Sequence, residues 1–178
     1  MQPNRGEIES KFVAASSKPS RACKKPETVL SVRLRSWRYT PIPPTMLEGR
    51  ILLVDDFAPW RRAVSSMLEV HKGLEIVGEA TDGPEAVQKA RALKPDLVLL
   101  DIGLPVLNGL EAATQISDVA PEAKILFVSQ NNDKEVVSAA LGDGGRGYVL
   151  KVDAKSELMA AVSAVLQGER FVSRQVKR

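Results

Sequence analysis

Three aspartates close apolar runs: Asp55 and Asp56 end "ILLVDD" at residues 51–56, and Asp101 ends "DLVLLD" at residues 96–101. Runs of this length and texture read as buried strands, so each delivers its charge at the end of a core element. Like charges placed there repel and raise one another's pKa unless something neutralises them. A hard divalent cation with oxygen ligands would do so, which points to Mg²⁺, or Mn²⁺, rather than a structural zinc. Ser129 ends "ILFVS" and Lys151 ends "GYVLK" in the same manner. A metal, a lysine and a hydroxyl around a central carboxylate suit a phosphoryl group, whose transfer depends on positioning and on neutralising its equatorial oxygens. The plainer alternative, turn or helix-capping aspartates in an arbitrary α/β domain, does not account for Ser129 and Lys151 at matching strand ends.

These residues meet only if their strands are neighbours. From Arg50 onward, apolar runs of four to six residues alternate with amphipathic stretches of ten to fourteen, the pattern of repeated βα units around a parallel sheet. Strands are predicted at Arg50–Val54, Leu74–Ala80, Asp96–Leu100, Lys124–Ser129 and Arg146–Leu150. Between them lie helical stripes carried by Trp60, Val64, Met67 and Leu68; by Ala86, Val87, Ala90 and Leu93; by Leu110, Ala113 and Ile116; by Val136, Val137 and Ala140; and by Leu158, Ala161, Val162 and Val165. Pro59 suits a first helical turn, Asp82 with Glu85 and Asn132 with Glu135 have capping-box spacing, and Asp153 is placed to cap the last helix. The expected fold is α/β: a flavodoxin-like (βα)5 doubly wound parallel sheet of order 2-1-3-4-5. That order sets the carboxyl ends of strands one and three, about 4.8 Å apart, at the topological switch point.

Residues 1–49 differ from this body. They hold nine Lys/Arg against four Asp/Glu, whereas residues 50–178 hold sixteen against eighteen, so the pI of 9.1 belongs to the head. The head shows no sustained periodicity and ends in the proline-rich "YTPIPPT", which reads as a disordered extension and linker. No apolar run approaches the roughly 18 residues needed to span a bilayer, and "MQPNRGEIESKF" has no signal-peptide h-region. The single cysteine, Cys23, excludes an internal disulfide and suits a reducing cytoplasm. "SVRLRSWRYT" interleaves arginines with Trp37 and Tyr39 and could grip phosphates and stack bases, or sit on an anionic membrane. A solvated tail, or a segment preceding a translation start at Met46, is the reading preferred, so neither nucleic acid nor membrane is an expected partner.

The run "ILLVDD", "DLVLLDIGLPVLNG", "ILFVS" and "GYVLK", in this order and spacing, resembles the receiver domain of bacterial two-component response regulators over about residues 50–172. The joint occurrence of the motifs makes the resemblance specific. It implies that Asp101 accepts a phosphoryl group from a sensor histidine kinase or a histidine phosphotransfer protein. It further implies that Asp56, Asp101 and the Gly103 carbonyl bind Mg²⁺, with Asp55 acting through a coordinated water. Lys151 would pair with the acceptor and then the phosphate, Ser129 would hydrogen-bond the phosphate, and Tyr148 would change rotamer on activation. Output would pass through the face of helix four, strand five and helix five, to a downstream protein or a second copy in a phosphorylation-dependent homodimer. "AVLQGERFVS" resembles receivers that carry a helix-turn-helix effector; with residues 173–178 as a short tail, the expectation is a stand-alone receiver that catalyses only its own phosphoryl transfer and dephosphorylation.

Other features read more plainly. Val152 follows Lys151 where the family usually has proline or serine. Gly142, Gly144 and Gly147 match G-x-G-x-x-G, but they follow a helix and lead into a strand, so a turn is expected rather than a dinucleotide site. The glycine-rich "GDGGRG" is expected to loosen the switch face. His71 is expected at the surface near the end of the first helix. Two rival functions are a DNA-binding transcriptional regulator and a Mg²⁺-dependent phosphohydrolase. The second lacks the usual D-x-D around its nucleophile, since Ile102 and Gly103 follow Asp101.

Overall fold

Strand-forming and helix-forming stretches alternate throughout the residues described by the computed structural model, 47–142 and 144–176. The basic head with Cys23 and "SVRLRSWRYT", the proline-rich linker, Met46 and the last two residues of the tail lie outside the described residues. The elements run β1 (Gly49–Val54), α1 (Ala58–Leu68), β2 (Leu74–Ala80), α2 (Gly83–Leu93), β3 (Leu97–Leu100) and α3 (Gly109–Val119). They continue with β4 (Lys124–Ser129), α4 (Lys134–Gly142), β5 (Gly145–Leu150), α5 (Ala154–Leu166) and β6 (Phe171–Val172). All pairings are parallel and the sheet order is β2-β1-β3-β4-β5-β6, a flavodoxin-like arrangement. No helix among the described residues is long and apolar enough to cross a membrane.

Side-chain alternation along the strands builds two cores. Leu52, Val54, Val98 and Leu100 pack with α2, α3 and α4 residues such as Ala90, Ile116 and Ala140. Ile51, Leu53, Leu97 and Leu99 face the other way, onto Val64 and Leu68 of α1 and Leu158 and Val162 of α5. A sheet covered on both faces needs continuous apolar strands, and all four residues of β3 are buried.

Helix starts mostly follow the local chemistry, with two corrections. Asp82 accepts from the Glu85 N–H at 2.8 Å, while the Glu85 carboxylate reaches back to the Thr81 N–H at 2.8 Å. Asn108, which the sequence reading passed over, accepts from both Leu110 and Glu111 N–H groups at 3.0 Å. The cap of α4 is not Asn132 but its neighbour: Asp133 accepts from Glu135 N–H through its side chain and from Val137 N–H through its carbonyl. Asn132 instead donates to the Gln175 carbonyl at 3.0 Å. Asp153 precedes α5 but makes no side-chain cap, because its backbone is already in the αR region rather than the extended one a capping side chain needs.

Two further expectations change. A sixth strand exists: β6 pairs Phe171 with Gly147 and Val172 with Tyr148, and at two residues it is too short to announce itself by alternation. Within the short tail expected over residues 173–178, Ser173 and Val176 are buried while Arg174 and Gln175 are exposed. His71 is half-buried in the turn after α1, its Nδ1 enclosed without a hydrogen-bond partner, rather than at the surface. One of the glycines before Tyr148 is required by packing: a Cβ at Gly145 would stand 2.3 Å from the Ala140 carbonyl oxygen, so only glycine lets α4 turn this closely into β5. The turn reading of the G-x-G-x-x-G match agrees with Gly142 ending α4 and β5 starting at Gly145.

Candidate functional site

Register decides which polar groups meet. Val54 of β1 is paired with Leu100 of β3, so the next residue on each strand, Asp55 and Asp101, emerges at the same level. The Asp101 N–H donates to the Val54 carbonyl at 3.0 Å and the Asp55 N–H to the Ala80 carbonyl at 3.1 Å, which fixes the backbone on which the carboxylates stand. Further across the sheet Ser129 pairs with Leu150, and the Lys151 N–H donates to the Ser129 carbonyl at 2.8 Å. All five polar strand ends are thus brought to one edge, where Asp56, Asp101, Gly103, Ser129 and Lys151 line a cleft of about 380 Å³.

The Lys151 ammonium binds the Oδ2 atoms of Asp55 at 2.6 Å and Asp101 at 2.7 Å, and lies 5.5 Å from the Trp60 ring centroid. Burial works to lower the Lys151 pKa, but the bonds to the two carboxylates outweigh it and hold the ammonium above its ordinary range. For Asp55 burial prevails: its carboxyl is pushed up despite the bonds from Lys151 and the Phe57 N–H. The expectation that a cation must relieve these charges is thus met in part by the protein's own lysine.

The three carboxylates are not equivalent. Asp55 is 1% exposed, with Oδ1 held by the Phe57 N–H at 2.9 Å and Oδ2 held by Lys151. Asp56 points into solvent at the mouth of the cleft. Asp101 has Oδ2 on Lys151, while its Oδ1 receives only a long 3.3 Å bond from the Gly103 N–H. One oxygen from each of the three carboxylates falls within 4.8 Å of the others. A set of hard oxygen donors with one exposed carboxylate fits Mg²⁺, which keeps waters of its own, and gives a soft metal nothing to prefer.

Ser129 is buried and its hydroxyl accepts from the Asn131 N–H at 3.2 Å. Tyr148 is fully buried and its hydroxyl donates to the Asn131 carbonyl at 2.7 Å. Burial pushes the Tyr148 phenol above its ordinary range.

Several supporting residues escaped the sequence reading. Arg61 donates to the Asp55 carbonyl and to Glu79, both at 2.7 Å, which ties α1 to the end of β1. Gly109 opens α3 hard against β3: a Cβ there would sit 2.0 Å from the Asp101 carbonyl oxygen. Asn131 belongs to the polar run "QNND" after Ser129, a signal that was present but unweighted. A second cleft of about 440 Å³, lined by Glu48, Glu75, Asp96 and Lys124 among others, shows no such convergence. Its Lys124 ammonium donates to the Leu166 carbonyl, and Asp96 accepts from the Arg50 N–H.

The response regulator receiver domain model matches residues 51–163 of the chain. Response regulator GacA of Pseudomonas viridiflava is 35% identical over 127 residues, 71% of this chain and 59% of that protein. Oxygen regulatory protein NreC of Staphylococcus aureus is 37% identical over 124 residues, 69% of this chain and 57% of its own length. The chain therefore matches less than two thirds of either relative. Among solved structures, a LuxR-family two-component response regulator from Aurantimonas sp. SI85-9A1 superposes with a TM-score of 0.70 at 33% identity, covering 73% of this chain and 93% of that one. The receiver domain of the putative response regulator NarL from Mycobacterium tuberculosis gives 0.65 at 29% identity, covering 68% and 98%.

Proposed function

The chain belongs to the response regulator receiver domain family, and from that membership we propose that Asp101 accepts a phosphoryl group from the phosphohistidine of a sensor histidine kinase or histidine phosphotransfer protein. The observation that carries the choice of Asp101 is the unequal commitment of the three carboxylates. Both Asp55 oxygens are taken, Asp56 stands away from Lys151 contacts, and Asp101 alone combines a lysine-bound oxygen with one held only weakly. Asp101 Oδ1 attacks phosphorus, the bond from phosphorus to the donor histidine nitrogen breaks, and the imidazole leaves with that electron pair.

Mg²⁺ would be held by Asp56, Asp101 and the Gly103 carbonyl, with Asp55 acting through a water; once bound, it neutralises phosphoryl charge. Lys151 supplies the second neutralising charge and keeps Asp101 aimed. Ser129, across the cleft, turns its hydroxyl to donate to a phosphoryl oxygen. Withdrawing Ser129 from the Asn131 N–H alters the loop that also receives the Tyr148 hydroxyl, so charge at Asp101 reaches the face formed by α4, β5 and α5. A downstream protein, or a second copy of the chain, reads that face.

The test is to incubate the protein with Mg²⁺ and acetyl phosphate, then map the base-labile adduct. Label on Asp101, lost in Asp101→Asn, is expected; equal labelling of that variant would overturn the assignment.

A further inference from the structure

The segment after β6 is bound to both loops that carry the reactive side chains. The Ser173 N–H donates to the Tyr148 carbonyl at 2.8 Å, and its hydroxyl, 1% exposed, accepts from the Leu150 N–H at 3.1 Å. The Gln175 backbone carbonyl accepts from the Asn132 side chain at 3.0 Å, in the loop that follows Ser129. The Gln175 side-chain amide donates to Asp153 Oδ1 at 2.7 Å, in the loop that follows Lys151, and is the contact that substitution removes. Val176 then enters the core that holds Tyr148. Asn131 joins this set to the site, for it binds Ser129 through its N–H and Tyr148 through its carbonyl.

From this geometry we infer that Gln175 is a positioning residue for the phosphoryl site, and that the segment Ser173–Val176 is bound or released according to the state of Asp101. The inference rests on the reading of Asp101 as phosphoacceptor. In the structure described, Ser129 accepts from Asn131 and the segment is docked. A phosphoryl group that draws the Ser129 hydroxyl inward removes the acceptor of the Asn131 N–H. The shift of Asn131 carries Asn132 with it and breaks the bond to Gln175. Because coupling is reciprocal, weakening the Gln175 contacts favours the phosphorylated arrangement by the same factor.

Gln175 is exposed, so its substitution leaves the core intact. The experiment compares hydrogen exchange of the full chain with and without Mg²⁺ and acetyl phosphate, following peptides over 171–176 and, as a control, over β2. Phosphorylation is expected to speed exchange in 171–176 by about five-fold, the lower end of ordinary allosteric coupling, with β2 unchanged. Gln175→Ala, and more strongly Gln175→Glu, whose carboxylate faces Asp153, should lengthen the lifetime of the Asp101 adduct, with a lower melting temperature because buried Asp153 loses the partner of its Oδ1. Label on Asp101 with unaltered exchange in 171–176, or wild-type adduct lifetimes in both variants, would overturn this inference alone. Absence of label would overturn the phosphoacceptor reading, and this inference with it.

Discussion

Lys151 reaches Asp101 at 2.7 Å across the ends of two strands that are not neighbours, for β4 lies between β3 and β5. The lysine spans that gap from a backbone pinned by its N–H bond to Ser129. Replacing it with alanine removes one of the charges that would face the phosphoryl oxygens, and Asp101 labelling should slow by about 10²-fold or more. The time course of adduct formation measures this.

The same substitution strands a buried carboxylate. Asp55, already pushed up by burial, loses its cation in Lys151→Ala and binds a proton more readily when folded than when unfolded. A carboxyl with a raised folded pKa gives stability that grows as pH falls, so this variant should be destabilised by about 3 kcal/mol at pH 7 and recover part of that near pH 5. Denaturation midpoints at the two pH values decide it.

Metal dependence should follow Asp56. Mg²⁺ at about 100 times its dissociation constant stabilises a folded site by about 2.7 kcal/mol. Thermal melts of wild type should therefore rise with Mg²⁺ and fall back with chelator. In Asp56→Ala the side chain removed is exposed, so the metal-free melt should stay put while the Mg²⁺ response disappears.

Val106 occupies a backbone conformation its side chain opposes. Its φ is +69° and the Leu107 N–H closes back onto the Pro105 carbonyl at 2.8 Å, a tight three-residue turn, while the side chain is 88% exposed and buries little. Val106→Gly should stabilise the protein by about 1 kcal/mol, the relief of strain exceeding the entropy glycine adds to the unfolded chain. Urea unfolding provides the comparison.

Glu85 gives an acid-limb prediction with a defined window. The Lys89 ammonium and the Thr81 N–H lower its pKa from 4.5 to about 2. A depressed carboxylate contributes stability that is complete above its unfolded pKa and is lost as pH falls through the folded one. Glu85→Gln should therefore flatten the decline in stability between pH 4.5 and 2, modestly, because the pair is partly solvated. Melting temperatures across that range report it.

Gly142 and Gly145 stand three residues apart, yet they should respond oppositely to alanine. Gly142 has nothing within 4 Å of a Cβ and sits in the last turn of α4, so alanine there should stabilise by about 0.5 kcal/mol. Gly145→Ala drives a methyl into the Ala140 carbonyl and should cost about 2 kcal/mol or more.

The legible part of this molecule is what repeats or what ends an apolar run. Strands of four to seven residues, helical stripes and the polar residues terminating β1, β3, β4 and β5 follow from periodicity, and parallel pairing then brings their ends together. What was hidden depends on contacts between distant parts of the chain. β6 needs Gly147 and Tyr148 to exist as a strand, Asp153 turns from helix capping to Gln175, and Asn132 cedes its cap to Asp133 for the same partner. Nothing local to "FVSRQV" marks it as a neighbour of residues 131–153, and no spacing shows which carboxylate oxygens of Asp55 and Asp101 the Lys151 ammonium takes.

The brevity of β6 bears on self-association. Two residues close the β5 side of the sheet, while the opposite border, β2, carries Glu75 and Glu79. An open border of unpaired N–H and C=O groups is a template for any extended chain, and charge or cover is the ordinary defence. Here the cover is continuous with the segment bonded to the loops after Ser129 and Lys151, so the contacts that hold that segment down also keep the β5 border covered.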